Sequence, residues 1–546
     1  MDDSAERTRV EFHEWGPEPF AIADRRGAPV LLSLSASWCT PCHEMDRATY
    51  DEPRIAANLN DGFVPVRVDV DRHPRVRDRY NMGGFPSTVF CTPDGRVVSG
   101  AGYLGPDGMR QVLDSVRGLW DRKGAEAGRL PRSLRDTTPP AGELTDGIEG
   151  HLAGALEAHY DERAGGWGDG EKFPMPRTIE FALKRDREMA LRTLDAVGAN
   201  LLDEYAGGFF RFAERADWSG IHYEKPLDTN AALVRAFANA YCYTGEERYR
   251  EPAERTVDYL TTTLWTGDAF AASQAAGAGA AHYTADPSDR EAEGEPPVDG
   301  TVLADWNALA VDALLTYHAY TDDERAARYA ERAMETLRTE LLDGDAVVHY
   351  RDGEERGESG LLVDHARLVG ALCRARQVRG LDTLALARTL ADAAIERCFS
   401  EGSFVDGPAA GPGLLDRPLR PLDGNVEMAE ALLELATLTG EQRYDERARE
   451  AVTAFAGAAD RFGPQVAAYG SVAARLRRDV LTIRVGTPAG SDLHRAALRV
   501  ADHEKVVIPG AGEPPSGTAV AALGERSTEP AGDPEALLEA VQSLLA

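Results

Sequence analysis

The stretch Ser37-Trp38-Cys39-Thr40-Pro41-Cys42-His43 constrains this chain more than any other. The run before it, Val30-Leu31-Leu32-Ser33-Leu34, is largely apolar, as a buried strand is, and Glu44, Met45 and Ala48 continue at helical spacing. Two cysteines separated by two residues at a strand-to-helix corner form a dithiol site. The first thiol stands at a helix N-terminus, where unpaired amides and the helix dipole stabilise thiolate. Pro41 suits the first helical turn, since its missing N–H costs nothing there. Other readings compete with a redox-active dithiol. Cys-x-x-Cys-His is also the c-type haem attachment signature, but that normally needs export and no export signal is visible. Zinc needs four ligands, and no second Cys-x-x-Cys supplies them. Two structural cysteines are the remaining reading.

A length of 546 residues suggests roughly two to four domains. No apolar run approaches the ~18 residues of a membrane span. The start, Met1-Asp2-Asp3-Ser4-Ala5-Glu6-Arg7, is polar, and six cysteines are far fewer than a secreted disulfide scaffold carries. A cytoplasmic protein is expected. The net charge of -31 argues against nucleic acid and anionic membrane as partners, since both would repel it. Only five of the 60 basic residues are lysine. An acidic, arginine-rich, lysine-poor surface resembles cytosolic proteins of salt-loving archaea, which makes a halophilic, haloarchaeal source an expectation. It also makes each lysine informative.

Residues 1–120 read as one α/β domain. Helices are expected at Pro17–Arg26, Glu52–Leu59 and Pro106–Trp120, and strands at Phe63–Val70, after Pro86, and at Arg96–Ser99. Trp-Cys-x-x-Cys on the first strand–helix junction, with Phe85-Pro86-Ser87-Thr88 about 45 residues later, resembles thioredoxin. The resemblance implies a cis Pro86 beside Cys39 and Cys42, where a substrate chain docks. One departure stands out: Ser33 occupies the place of the buried acid of thioredoxins, six residues before the first cysteine. His43 is the nearest candidate base for Cys42, or else a solvent-facing helix residue. Cys91 reads as core packing.

Residues 121–142, rich in charge, Gly and Pro, read as a linker. From 143 to 470 the pattern is helical and repeats. Asp228-Thr229-Asn230 recurs as Asp305-Trp306-Asn307, Asp364-His365 and Asp423-Gly424-Asn425, each opening a helix with capping-type residues. Thr244-Gly245-Glu246, Thr321-Asp322-Asp323 and Thr439-Gly440-Glu441 turn the chain into alanine- and arginine-rich helices. About five or six helical hairpins fit this length, and closed in a ring they resemble the (α/α)6 toroids of six-hairpin glycosidases and N-acylglucosamine epimerases, with an open solenoid as the alternative. Residues 471–546 read as a small α/β segment.

Two dense motifs carry two of the five lysines: Gly165-Gly166-Trp167-Gly168-Asp169-Gly170-Glu171-Lys172-Phe173-Pro174 and His222-Tyr223-Glu224-Lys225. A lysine is a compact donor whose pKa shifts on burial, and each one either serves a function or anchors a loop. The thioredoxin-like head, Lys-Phe-Pro, Gly-Gly-Phe-Phe-Arg, His-x-Glu-Lys, Asp-x-Asn and Trp-Asn-Ala-Leu together resemble the family called DUF255, also known as the YyaL or spermatogenesis-associated protein 20 family. That resemblance implies a thioredoxin-like domain fused to a toroid. The family's tail often carries a further cysteine pair, and Thr518–Leu523 has none.

Three functions follow as expectations. The first is a thiol–disulfide oxidoreductase in which Cys39 attacks and Cys42 resolves, with Trp38, His43 and Pro86 completing the site and a disulfide-bearing protein or small thiol as client. The second is a carbohydrate-acting enzyme, glycosidase or sugar epimerase, with a sugar-like ligand in a toroid pocket built from Lys172, His222, Glu224, Lys225, Asp228, Asn230, Asp305, Trp306, Asn307, Asp364, His365 and Asn425. The third is a non-catalytic binding module with a redox switch. Catalysis in the toroid calls for carboxylates about 5 to 9.5 Å apart, whereas mere binding calls for a lining of Trp167, Trp218 and Trp306. No metal or cofactor is expected.

Overall fold

The computed structural model describes residues 8–135 and 138–546. The chain forms two compact units, one running through Thr138 with Asp406–Arg420 added, the other comprising Pro139–Val405 and Pro421–Ala546.

The first unit is a mixed sheet flanked by helices. Val30–Ser35 lies at its centre, parallel to Val64–Asp69 and antiparallel to Ser87–Cys91; His13–Glu14 and Val97–Ala101 form the edges. The central strand is apolar on both faces because helices cover both, and Leu31, Leu32 and Leu34 have no exposed surface. The helix Pro53–Gly62 packs beside Val64–Asp69, and Pro106–Lys123 closes the domain. A helix at Pro74–Tyr80 escaped the sequence reading, because its polar face, Arg75-x-x-x-Arg79, is buried.

Arg75 and Arg79 explain why Asp406–Arg420 belongs here. Asp406 Oδ2 accepts from Arg75 Nε at 3.2 Å and from Arg79 Nη1 at 2.5 Å, and all three side chains are buried. The same guanidiniums donate to the carbonyls of Pro408, Leu414, Leu415 and Arg417. Tyr80 Oη donates to Gly413 O, and Leu415 joins the apolar cluster around the central strand.

The second unit is a closed double ring of helices. The inner six are Pro176–Arg185, Leu227–Thr244, Ala304–Thr321, Leu362–Arg379, Leu422–Thr439 and Ala467–Arg477, each packed on the next and the last on the first. The outer six are Gly147–His159, Arg187–Leu201, Glu247–Thr262, Glu324–Glu340, Leu384–Cys398 and Gln442–Thr453, each packed on an inner partner. The first outer helix pairs with the last inner one, so chain ends close the circle. This is an (α/α)6 toroid, not an open solenoid. Its last helix runs to Arg477, past residue 470. Turns from inner to outer helices are short, whereas the connections back are long, so all long loops gather at the N-terminal ends of the inner helices.

The rest of the tail is a four-stranded sheet in the order Val506–Pro509, Thr482–Val485, Ala519–Leu523, Arg526–Ser527, with helices Asp492–Leu498 and Pro534–Leu545. It caps the C-terminal ends of the inner helices: Val507 N donates to Gln377 Oε1, and His494 Nε2 meets Gln377 O at 2.8 Å. Among the described residues no helix is long and apolar enough to cross a membrane.

Candidate functional sites

In the first unit Cys39 and Cys42 form a disulfide. Cys39 is the N-cap of the Thr40–Met45 helix, and its sulfur accepts from Cys42 N at 3.3 Å. That contact, at the positive end of a helix, favours thiolate at Cys39 once the pair is reduced. Trp38 is buried and donates from Nε1 to Asp71 Oδ2 at 2.7 Å; its ring meets Phe85 edge-on. The Phe85–Pro86 bond is cis, as the thioredoxin resemblance implies. His43 is exposed on the helix, and Ser33 is buried on the central strand. Cys91 is fully buried, which pushes its thiol far up and leaves it inert.

In the second unit the two informative lysines do the same work twice. The loops Asp161-Glu-Arg-Ala-Gly165-Gly166-Trp167 and Asp203-Glu-Tyr-Ala-Gly207-Gly208-Phe209 are copies. Each aspartate accepts from the backbone N–H groups two and three residues on, and both glycine pairs sit at positive φ. Lys172 Nζ closes the first loop on Asp161 Oδ2 at 2.9 Å and Gly168 O at 2.8 Å; Lys225 Nζ closes the second on Asp203 Oδ2 at 2.7 Å and Gly207 O at 2.9 Å. Burial works against the charge of Asp203, but Arg290 and Lys225 outweigh it and hold its carboxyl well below the usual range.

The asparagines are clamps. Asn230 accepts from Phe209 N and donates to Phe209 O and Pro226 O; Asn307 does so with Phe270 and Leu303, Asn425 with Phe404 and Pro421. His365 fills the equivalent place on the fourth inner helix, with Nδ1 at 2.9 Å from Leu361 O. His222 stacks on Phe212 and contacts Glu214 and Glu224; burial opposes its charge, yet the two carboxylates raise its pKa. Asp228 is half-buried at the start of its helix, and Trp306 is buried in the apolar core.

The ring axis holds what the sequence reading missed. A cavity of about 930 Å³, its solvent mouth included, is lined largely by charged side chains. Glu180 binds Arg235 at 2.7 Å, Arg235 binds Asp312 at 2.7 Å, Asp312 binds Arg374 at 2.9 Å, and Arg374 approaches Glu434 at 3.9 Å. Glu430 binds Arg475 at 3.4 Å and also Arg177, which returns to Glu180 at 3.2 Å. The belt thus touches all six inner helices. Burial pushes every one of these carboxyls up, but in Glu180, Glu430 and Glu427 the arginines win and the pKa falls. In Glu434 burial wins, and its pKa rises. His503 and Glu504 of the tail close the floor, Glu504 held by Arg185 at 2.6 Å. Trp167, Trp218 and Trp306 are not among the lining residues. Nearer the mouth, Arg367 binds Asp305 Oδ2 at 2.8 Å and Glu427 Oε2 at 2.7 Å.

Comparison with known proteins follows the same division. A family model named Thioredox_DsbH, "Protein of unknown function, DUF255", matches residues 3–136. The head is a DUF255 domain. The chain is 27% identical over 346 residues to human spermatogenesis-associated protein 20, a match covering 56% of this chain and 42% of that protein. It therefore spans under half the length of such curated relatives. The DUF255 head is also 28% identical over 103 residues to the thiol:disulfide interchange protein DsbD of Yersinia enterocolitica, 18% of either chain. Among solved structures, a cellobiose 2-epimerase from Spirochaeta thermophila is similar at 17% identity and a TM-score of 0.46, over 56% of this chain and 82% of that one. A family 76 mannosidase from Bacteroides thetaiotaomicron is similar at 11% identity and a TM-score of 0.44, over 62% and 99%.

The sequence-predicted residues therefore separate. In the DUF255 head, Trp38, Cys39 and Cys42 belong to one apolar cluster with Phe85 packed against it, and Pro86 follows Phe85 through a cis bond. In the toroid, Lys172, Lys225, Asn230, Asn307 and Asn425 hold loops to helices, whereas Asp305 and Asp364 meet at the ring mouth beside His349, which the sequence reading passed over. The belt carried a signal of its own. In Glu427-x-x-Glu430-x-x-x-Glu434 and Arg367-x-x-x-x-x-x-Arg374, charges fall on one helix face, which reads as a solvated exterior until the helices close into a ring.

Proposed function

We propose that this protein is a thiol–disulfide oxidoreductase acting through its DUF255 head. The observation that carries this reading is the Cys39–Cys42 disulfide, with Cys39 capping the helix N-terminus. In the reduced head the Cys39 thiolate attacks one sulfur of a client disulfide; a Cys39–client bond forms, and the client's other sulfur leaves as thiolate. Cys42, losing its proton to His43 or water, then attacks Cys39 Sγ. The client departs with both sulfurs reduced, and two electrons have passed from the head, now a disulfide. A protein or small-molecule dithiol returns the head to its starting state by the reverse exchange. Clients are disulfide-bearing proteins or the disulfides of small thiols.

The test is a redox titration against dithiothreitol or glutathione beside a Cys42→Ser trap. A reversible two-electron couple between about -120 and -270 mV, with clients captured on Cys39, supports the proposal. A pair that stays oxidised or reduced across that whole range overturns it.

One observation favours a second activity in the toroid. The axial belt sets a carboxyl with raised pKa, Glu434, among carboxylates held low by arginines, the division of labour that acid–base catalysis on a sugar uses. Its guanidiniums and carboxylates offer both donors and acceptors to hydroxyl groups. A thermal-shift screen of mono- and disaccharides on wild type and Glu434→Gln would check it; no shift with any sugar sinks the carbohydrate reading.

A further inference from the structure

Three side chains are buried together at the ring mouth. Asp305 lies on the third inner helix, Asp364 on the fourth, and His349 just before the strand Tyr350–Asp352 in the connection between them. Their exposures are 5%, 0% and 1%. One ligand-type atom from each, two carboxylate oxygens and an imidazole nitrogen, lies within 4.8 Å of the other two. His349 Nδ1 is 2.8 Å from Asp364 Oδ1. Asp364 Oδ2 is fully buried and accepts no hydrogen bond, a costly state for a carboxylate oxygen unless a cation or donor meets it.

The local charge points the same way. Arg367 binds Asp305 and Glu427 directly, and the charge of Asp228 also acts on it. A carboxylate oxygen of Asp364 lies within 4.8 Å of one of Asp305, so acidic groups are dense at this place.

We propose that Asp305, His349 and Asp364 bind a divalent transition-metal cation. One imidazole and two carboxylates form a donor set suited to Mn2+, Fe2+, Co2+ or Zn2+ rather than to the all-oxygen preference of Ca2+ or Mg2+. The 2.8 Å between His349 Nδ1 and Asp364 Oδ1 is close to the ~3.0 Å edge between adjacent ligands on an ion with ~2.1 Å bonds. Arg367 holds Asp305 in place from outside, as outer-sphere partners of metal ligands do. Three protein ligands leave coordination positions for water or a substrate oxygen, which places a Lewis acid at the entrance to the axial cavity. This site is independent of the dithiol.

The experiment uses the full chain with its disulfide intact, stripped by chelator and titrated with MnCl2 in a calorimeter. One equivalent binds per chain. His349→Ala and Asp364→Asn each weaken binding by at least about 10-fold. A second measurement on wild type does not depend on how the variants fold: electron spin echo modulation of bound Mn2+ shows coupling to one imidazole nitrogen. No uptake by wild type, uptake retained within about threefold in both variants, or bound Mn2+ without nitrogen coupling each overturns the proposal.

Discussion

Replacing Asp406 by alanine should unfold the first unit preferentially, although Asp406 lies more than 300 residues away in sequence from its partners. The carboxylate faces two guanidiniums whose side chains are 3% and 0% exposed. Both keep carbonyl acceptors in the variant, so their hydrogen bonds are partly met, but the carboxylate that bonds them both is gone. Removing one partner of a buried ion pair costs about 3–5 kcal/mol, and the retained carbonyls argue for the lower half of that range. At about 1.4 kcal/mol per factor of ten, amide exchange limited by unit opening should accelerate by roughly 10²- to 10³-fold. The assay is hydrogen exchange with mass spectrometry on full-length protein, following peptides that cover Val30–Ser35 and Ser87–Cys91. Inner-helix peptides such as Leu227–Thr244 serve as the internal control and should hold their rates. Acceleration below about fivefold in the sheet, which corresponds to about 1 kcal/mol, would refute the idea that this carboxylate neutralises a buried pair of arginines.

Two further outcomes test the toroid. Asn307→Ala leaves the N–H and carbonyl of Phe270 and the carbonyl of Leu303 without their side-chain partner in a buried position, and should cost about 3 kcal/mol in chemical denaturation of the ring; a loss under about 1 kcal/mol would show that the clamp is incidental. Arg374 and Arg235 lower the Asp312 carboxyl from 3.8 to about 2 against the push of burial. A depressed carboxyl stabilises the fold fully above its unfolded value, and that contribution, about 2 kcal/mol, disappears as pH falls from 3.8 through about 2. Asp312→Asn should therefore be less stable than wild type at neutral pH and show a shallower loss of stability across that acid window; equal acid slopes would count against the assignment.

The parts of this molecule that were legible in its sequence are those written in local patterns. The dithiol corner combines an apolar run, a Cys-x-x-Cys and a proline at the first helical turn, and the structure builds a strand, a capped helix and a disulfide there. The Asp-x-Asn repeats announce helix starts because the asparagine must reach back four residues to a carbonyl, a contact that only a fixed spacing allows. The strap at Asp406–Arg420 was hidden for the opposite reason. It docks mainly through backbone carbonyls of Pro408, Leu414, Leu415 and Arg417, and a carbonyl has no residue identity to read. The axial belt was hidden because a charged helix face looks the same whether it meets bulk water or the enclosed axis of a ring.

That ambiguity lifts once the repeats are superposed on one another. Counting from the start of each inner helix, the fourth residue is Asn230, Asn307, His365 and Asn425 in the second to fifth helices: nearly constant, because the three asparagines carry the same clamp and His365 reaches back to the equivalent carbonyl of Leu361. The sixth, ninth and thirteenth positions, Ala232 excepted, line the axial cavity and do not repeat. They read Ala232, Arg235, Asn239; Leu309, Asp312, Thr316; Arg367, Gly370, Arg374; Glu427, Glu430, Glu434. A scaffold requirement acts on every hairpin alike, since every hairpin must bury the same faces. Variation confined to the inward stripe therefore reflects demands made at the axis rather than by packing. The fourth helix departs furthest: it replaces the clamp asparagine by histidine, opens a gap at Gly370, supplies two arginines, and places Asp364 opposite His349 and Asp305. It is on this helix, where the repeat is broken at several positions together, that the toroid's own chemistry should be sought first.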